Sequence, residues 1–213
     1  TPEPRKKVIV AGSLDSNNLH LSTDGGGVDP RYRCRLNFKV GSGAVVVNWD
    51  GNESIRGIGL VFGEVPNPHL QTVPRAEVWG PVMGLQALDL NFGNIGKWDV
   101  DASYVANNAA KIRNGVDPKK GPFCGTHGDI WHELLLLAQG EPLFVPTKVT
   151  SHLSRDDIVS SISPQEYMLN GIADKLAEMA VQQFDYPTDL CFCVERNVRT
   201  SFLASMRLAV IEL

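Results

Sequence analysis

Four acidic residues, Asp24, Glu77, Asp101 and Asp174, stand in different local contexts and suit chemistry only as a set. Asp24 ends the strand-like stretch Leu19-His20-Leu21-Ser22-Thr23 and runs straight into Gly25-Gly26-Gly27. A strand edge of this kind holds a carboxylate in place, while the bare backbone beside it lets a large substrate come close. Alone, it also reads as the commonest of turn dipeptides, Asp-Gly. Glu77 follows Arg75-Ala76 in a helical pattern, Asp101 follows a short strand candidate, and Asp174 lies within a long helix. Taken singly, each has an ordinary reading: turn residue, first-turn helix acid, helix cap, solvated helix face. Converged, four carboxylates would be oxygen ligands for hard divalent cations.

The elements that must position them follow from periodicity. Gly43 to Trp49 is rich in β-branched residues, Asp50-Gly51-Asn52 is a hairpin signal, and Ile55 to Phe62 is a second apolar run. With the strand ending at Asp24 these form an antiparallel meander. In Thr72 to Leu90, Val78, Val82, Leu85 and Leu88 recur at helical spacing, with Pro74 in a first-turn position. Gly80-Pro81 conflicts with that helix, since an interior proline costs about 3 kcal/mol, and a kink or a late start is expected. Lys97 to Asp101 reads as a strand, Ala102 to Arg113 and His127 to Gln139 as helices, and Leu143 to Ser151 as a further strand. Ser163-Pro164-Gln165-Glu166 is a capping box with proline at the first helical position, opening a helix to about Phe184.

A strand that returns after a helical crossover lies parallel to its neighbour. The expected fold class is therefore α/β, a mixed five-stranded sheet of three antiparallel and then two parallel strands, flanked by helices. Residues 1–18, with the strand-like Lys7-Val8-Ile9-Val10, read as an N-terminal extension, 19–185 as the domain, and 186–213 as a C-terminal helical tail. Val194, Val198, Leu203, Met206 and Leu208 make an imperfect apolar stripe in that tail.

At 213 residues, 43% hydrophobic and 21% charged, the chain has the composition of a soluble globular domain. No apolar run approaches the roughly 20 residues that span a bilayer. The stretch after Lys6-Lys7 is too short for a secretory signal, so an intracellular protein without a membrane partner is expected. Cys34, Cys124, Cys191 and Cys193 match no zinc spacing and read as free thiols. The formal charge of -4 argues at first against nucleic acid as a partner. Two bound divalent cations would cancel it, however, and basic residues cluster at Arg31, Arg33, Arg35 and Lys39 and at Lys111, Arg113, Lys119 and Lys120. Net charge decides nothing.

Six pieces follow one another in a telling order. They are Thr23-Asp24-Gly25, Thr72-Val73-Pro74-Arg75-Ala76-Glu77, Asp101-Ala102-Ser103-Tyr104-Val105, Gly128-Asp129-Ile130-Trp131, Val149-Thr150-Ser151-His152, and Asn170-Gly171-Ile172-Ala173-Asp174. Over residues 18–184 this set resembles the ribonuclease H family, in its retroelement and cellular type 1 form. The resemblance implies that Asp24, Glu77, Asp101 and Asp174 are the catalytic, metal-binding carboxylates. It implies that His152 is the mobile histidine that helps the product or a proton leave. Asn170 takes the place of the family's asparagine, one helical turn before Asp174 and so on the same face.

The implied activity is endonucleolytic hydrolysis of the RNA strand of RNA–DNA hybrids. Two Mg²⁺ ions about 3.5–4 Å apart, with Mn²⁺ as an alternative, activate the water and relieve charge on the leaving oxygen. RNA is told from DNA by its 2′-hydroxyls, for which Gly25, Gly26 and Gly27 offer peptide groups and Glu77 and Asn170 offer side chains. Three features depart from the pattern: Gly26-Gly27 in place of a serine-containing turn, Pro81 in the first helix, and a long segment from His152 to Asn170. The alternative is a catalytically dispensable ribonuclease H-like subunit, structural or RNA-binding, belonging to a polyprotein or a larger assembly. A resolvase or exonuclease of the wider superfamily fits His152 and Asn170-x-x-x-Asp174 less well.

Overall fold

The computed structural model describes residues 3–27, 39–51, 54–66, 71–117, 120–139, 144–150 and 162–183, together with Arg196 and Thr200. Six strands form one sheet: β1 (Lys6–Gly12), β2 (Leu19–Gly27), β3 (Val40–Trp49), β4 (Ile55–Glu64), β5 (Ile95–Val100) and β6 (Thr147–Lys148). Their order across the sheet is β1-β4-β3-β2-β5-β6. The pairs β1/β4, β4/β3 and β3/β2 are antiparallel, whereas β2/β5 and β5/β6 are parallel. Among the described residues four helices flank it: α1 (Val73–Ala87), α2 (Ser103–Arg113), α3 (Gly128–Leu136) and α4 (Pro164–Gln183).

The mixed α/β sheet agrees with the sequence reading, but it has one strand more than the five expected. Lys6–Gly12, read as part of an extension, pairs with β4 from Lys6↔Gly63 to Gly12↔Gly57. All seven of its residues are exposed, so no face alternates and the pattern that reveals a sheet strand is missing. At the other edge, of the described residues in the strand expected over Leu143 to Ser151, only Thr147 and Lys148 are register partners of β5. The C-terminal stripe, like most of the tail, lies outside the described residues.

Alternation along β3 separates two layers. Ala44 and Val46 join Leu19, Leu21 and Val61 in a core shared with Val78, Val82 and Leu85 of α1, Val105 and Ala109 of α2, and Ile130, Trp131 and Leu134 of α3. Val45, Val47 and Phe62 face the other way, onto Leu169, Ala173, Leu176 and Ala180 of α4. Helix α1 thus lies on one face of the sheet and α4 on the other.

Local signals set the ends of these helices. Thr72 caps α1, its hydroxyl accepting from the Arg75 N–H at 3.2 Å. The capping box closes as expected on α4: Ser163 Oγ accepts from the Glu166 N–H at 3.2 Å, and Glu166 Oε2 from the Ser163 N–H at 2.7 Å. Pro81 neither delays nor ends α1, which continues through it. The ladder bond it forgoes is the one to the Glu77 carbonyl, and its ring is buried.

Candidate metal centre

Three elements meet at the C-terminal end of β2. Thr23 and Val100 are the last register pair of β2 and β5, so Asp24 and Asp101 follow side by side as the chains leave the ladder. Helix α1 arrives against the backbone of Gly25. A Cβ there would lie 2.4 Å from the Glu77 nitrogen and 2.9 Å from the Ala76 Cβ, so only glycine allows this approach. Ser42, opposite Gly25 on β3, fastens the contact by donating its hydroxyl to the Ala76 carbonyl at 2.7 Å. Carboxylate oxygens of Asp24, Glu77 and Asp101 consequently lie within 4.8 Å of one another.

Such a group is electrostatically costly. Asp24 and Glu77 are each 7% exposed. Burial, and then the charge of Asp101, raise the Asp24 carboxyl to about 7, with a smaller push from Asp174. The Gly25 N–H, donated to Asp24 Oδ1 at 2.7 Å, offsets only part of this. Burial and the charges of Asp24 and Asp101 likewise raise Glu77 well above the usual carboxylate range. Its Oε2 is buried with no hydrogen-bond partner among the described residues. An all-oxygen donor set with an orphaned buried oxygen and mutual repulsion fits a hard divalent cation and not a soft one.

The remaining site residues named from the sequence fall into separate places. Asp174 stands on α4, outside the group of three, yet near enough for its charge to act on Asp24. Asn170, one turn earlier, is buried, and its Oδ1 has no hydrogen-bond partner among the described residues. Gly25 is closed off by α1, Gly26 is half-buried against Ala177 of α4, and Gly27 is exposed, so open peptide begins one residue later than expected. His152 lies outside the described residues.

The contacts of two residues beside the centre escaped the sequence reading. Tyr104, in the first turn of α2, donates its hydroxyl to the Pro74 carbonyl. Its own ionisation is pushed up, by burial and then by the charges of Glu77, Asp101 and Asp24, so it stays a neutral donor. Arg75, fully buried, makes a two-pronged pair with Asp129 at the start of α3, with Nη1 to Oδ1 at 2.9 Å, and donates Nε to the Pro66 carbonyl at 3.0 Å. Opposite charges 54 residues apart leave no spacing signal.

No family model and no curated protein sequence matches the chain. Among solved structures it is similar to the crystal structure of LC9-RNase H1, a type 1 RNase H with the type 2 active-site motif. The TM-score is 0.52, over 80% of this chain and 75% of that one. The fold is RNase H-like. At 13% identity the likeness carries the fold alone. In this RNase H-like sheet, the acidic group sits where the first parallel neighbour leaves the central strand. Among the described residues no helix is long and apolar enough to cross a membrane.

Proposed function

We propose that the chain is a divalent-metal-dependent nuclease that hydrolyses the RNA strand of RNA–DNA hybrids. The observation that carries this reading is the buried group Asp24, Glu77 and Asp101 on an RNase H-like fold. These three would hold the ions, with Asp174 completing the set from α4. The ions would be two Mg²⁺, with Mn²⁺ as a substitute. When bound, they supply an activated water and relief of charge on the leaving oxygen.

The protein's own part is to hold and to select. Gly25 and Ser42 fix α1 so that Glu77 meets Asp24 without adjustment. Gly26, Gly27 and Asn170 would read the 2′-hydroxyls of the RNA strand, and His152 would carry a proton or help the product leave.

The test is incubation of the protein with a hybrid whose RNA strand is end-labelled, in Mg²⁺, in Mn²⁺ and in EDTA, beside all-DNA and all-RNA duplexes. The expected result is internal cuts in the hybrid's RNA with either ion and none in EDTA. Binding of the hybrid without cleavage under any condition would overturn the proposal in favour of a non-catalytic RNA-binding subunit.

A further inference from the structure

On the face of the sheet that α4 covers, a chain of charged groups leads away from the acidic centre. His20 and Lys97 are register partners on β2 and β5, as are Ser22 and Asp99. Asp99 is fully buried; its Oδ2 lies 2.5 Å from His20 Nε2 and 3.8 Å from Lys97 Nζ. Lys97 Nζ in turn donates to Glu166 Oε1 in the first turn of α4. A carboxylate this deep in the protein persists only with a partner, so Asp99 holds Lys97 at the surface of the sheet. Lys97 then reaches across to the helix. Burial pushes the Glu166 carboxyl up, but the hydrogen bonds from Lys97 and Ser163 outweigh it and hold the group at about 2.

The place of this chain on α4 matters. Glu166, Asn170 and Asp174 follow at intervals of four and share one helix face. Toward β3 and β4, α4 is fixed by apolar packing of Leu169 and Leu176 with Val45, Val47 and Phe62. Toward β2 its contacts are smoother, with Ala177 against Gly26. On the β5 side the ion pair of Lys97 and Glu166 ties the helix to the strand.

We propose that Lys97 and Glu166, backed by the buried Asp99–His20 pair, form a positioning latch that sets how far α4 leans toward β5 and hence how close Asp174 comes to Asp24 and Asp101. This deepens the metal-centre reading above and rests on it. None of the four latch residues is a ligand; they act through Asp174.

Glu166→Gln separates the latch from its surroundings. The amide still closes the capping box, and Lys97 still faces Asp99, but the charge pair between strand and helix is lost. The melting temperature should change by no more than a few degrees. Affinity for Mn²⁺, read by calorimetry without substrate, should fall about three- to tenfold, as for groups that interact across a short network. In an Asp174→Asn background the same substitution should have no further effect, and Lys97→Arg, which keeps the charge, should bind Mn²⁺ like the wild type. An equal loss of affinity in both backgrounds, or none in either, would overturn the latch while leaving the metal centre standing. Failure of the wild-type protein to bind Mn²⁺ would overturn the metal centre, and the latch with it.

Discussion

Asp24→Asn should stabilise the metal-free protein while abolishing metal-dependent cleavage. The side chain is 7% exposed, and burial together with Asp101 and Asp174 lifts its carboxyl from 3.8 to about 7. At about 1.4 kcal/mol for each tenfold change, that lift corresponds to about 4 kcal/mol against the ionised form in the fold. Glu77 and Asp101 share the same repulsion, so asparagine should recover about 2–3 kcal/mol. For a chain of this length that is about 5–10 °C in Tm.

The direction with pH follows from proton uptake. The unfolded chain loses the proton near 3.8, the folded one near 7. The folded protein therefore holds more protons across that window, and stability falls as pH rises through it. The penalty is absent below about pH 4 and complete above about pH 7. Urea unfolding in EDTA, followed by fluorescence of the buried Trp98 and Trp131, should show the wild type weaker at pH 8 than at pH 5, and the variant losing less over the same interval, the remainder coming from Glu77, which burial and Asp101 still raise. Saturating Mg²⁺ should raise the wild type and leave the variant unmoved. A variant less stable than the wild type at pH 8 in EDTA would show that Asp24 is held by satisfied contacts, and the argument from repulsion would fail.

Gly25→Ala should push α1 away from β2, because the new Cβ would lie 2.4 Å from the Glu77 nitrogen. A loss of about 1–3 kcal/mol in urea unfolding, with weakened Mn²⁺ binding by calorimetry, is expected. Arg75→Met should cost about 1–2 kcal/mol, less than the 3–5 of a fully buried pair, because Asp129, its side chain 59% exposed, can turn to solvent; chemical denaturation measures it. His152→Ala should slow hybrid cleavage by at most about 10²–10⁴-fold and leave Mn²⁺ affinity unchanged, whereas Asp101→Asn should be inactive.

What could be read in advance was whatever depends on neighbours along the chain. The Asp24 edge, the Pro74 helix start and the Ser163–Glu166 box each lie within a few residues and show as spacing. The meander and the crossover then follow from strand and helix order. Contacts across the sheet leave no such trace. His20 and Asp99 are 79 residues apart and Arg75 and Asp129 are 54 apart, and nothing in either local sequence announces the partner. The late start expected at Pro81 does not occur, because the proline's cost was counted for an isolated helix, while α1 is clamped on its inner face by Val78, Val82 and Leu85. Gly25 misled in the opposite sense: its missing side chain makes room for a helix, whereas a substrate had been expected there.

The outermost strand bears on how the protein can be cut and kept in solution. In β1, Val8, Ile9 and Val10 are 42%, 53% and 53% exposed, a β-prone run with Lys6 and Lys7 at its head. Lysines beside such a run discourage strands of neighbouring molecules from adding to the edge. A fragment beginning at Leu19 would lose this guard. Its new border would be β4, where Ile58, Leu60 and Phe62 face along one side and no lysine interrupts Ile55–Glu64. Shortening the chain at its N-terminus, the obvious economy for anyone isolating the RNase H-like fold, should therefore trade a guarded edge for an adhesive one. Self-association in light scattering would appear before any loss of secondary structure.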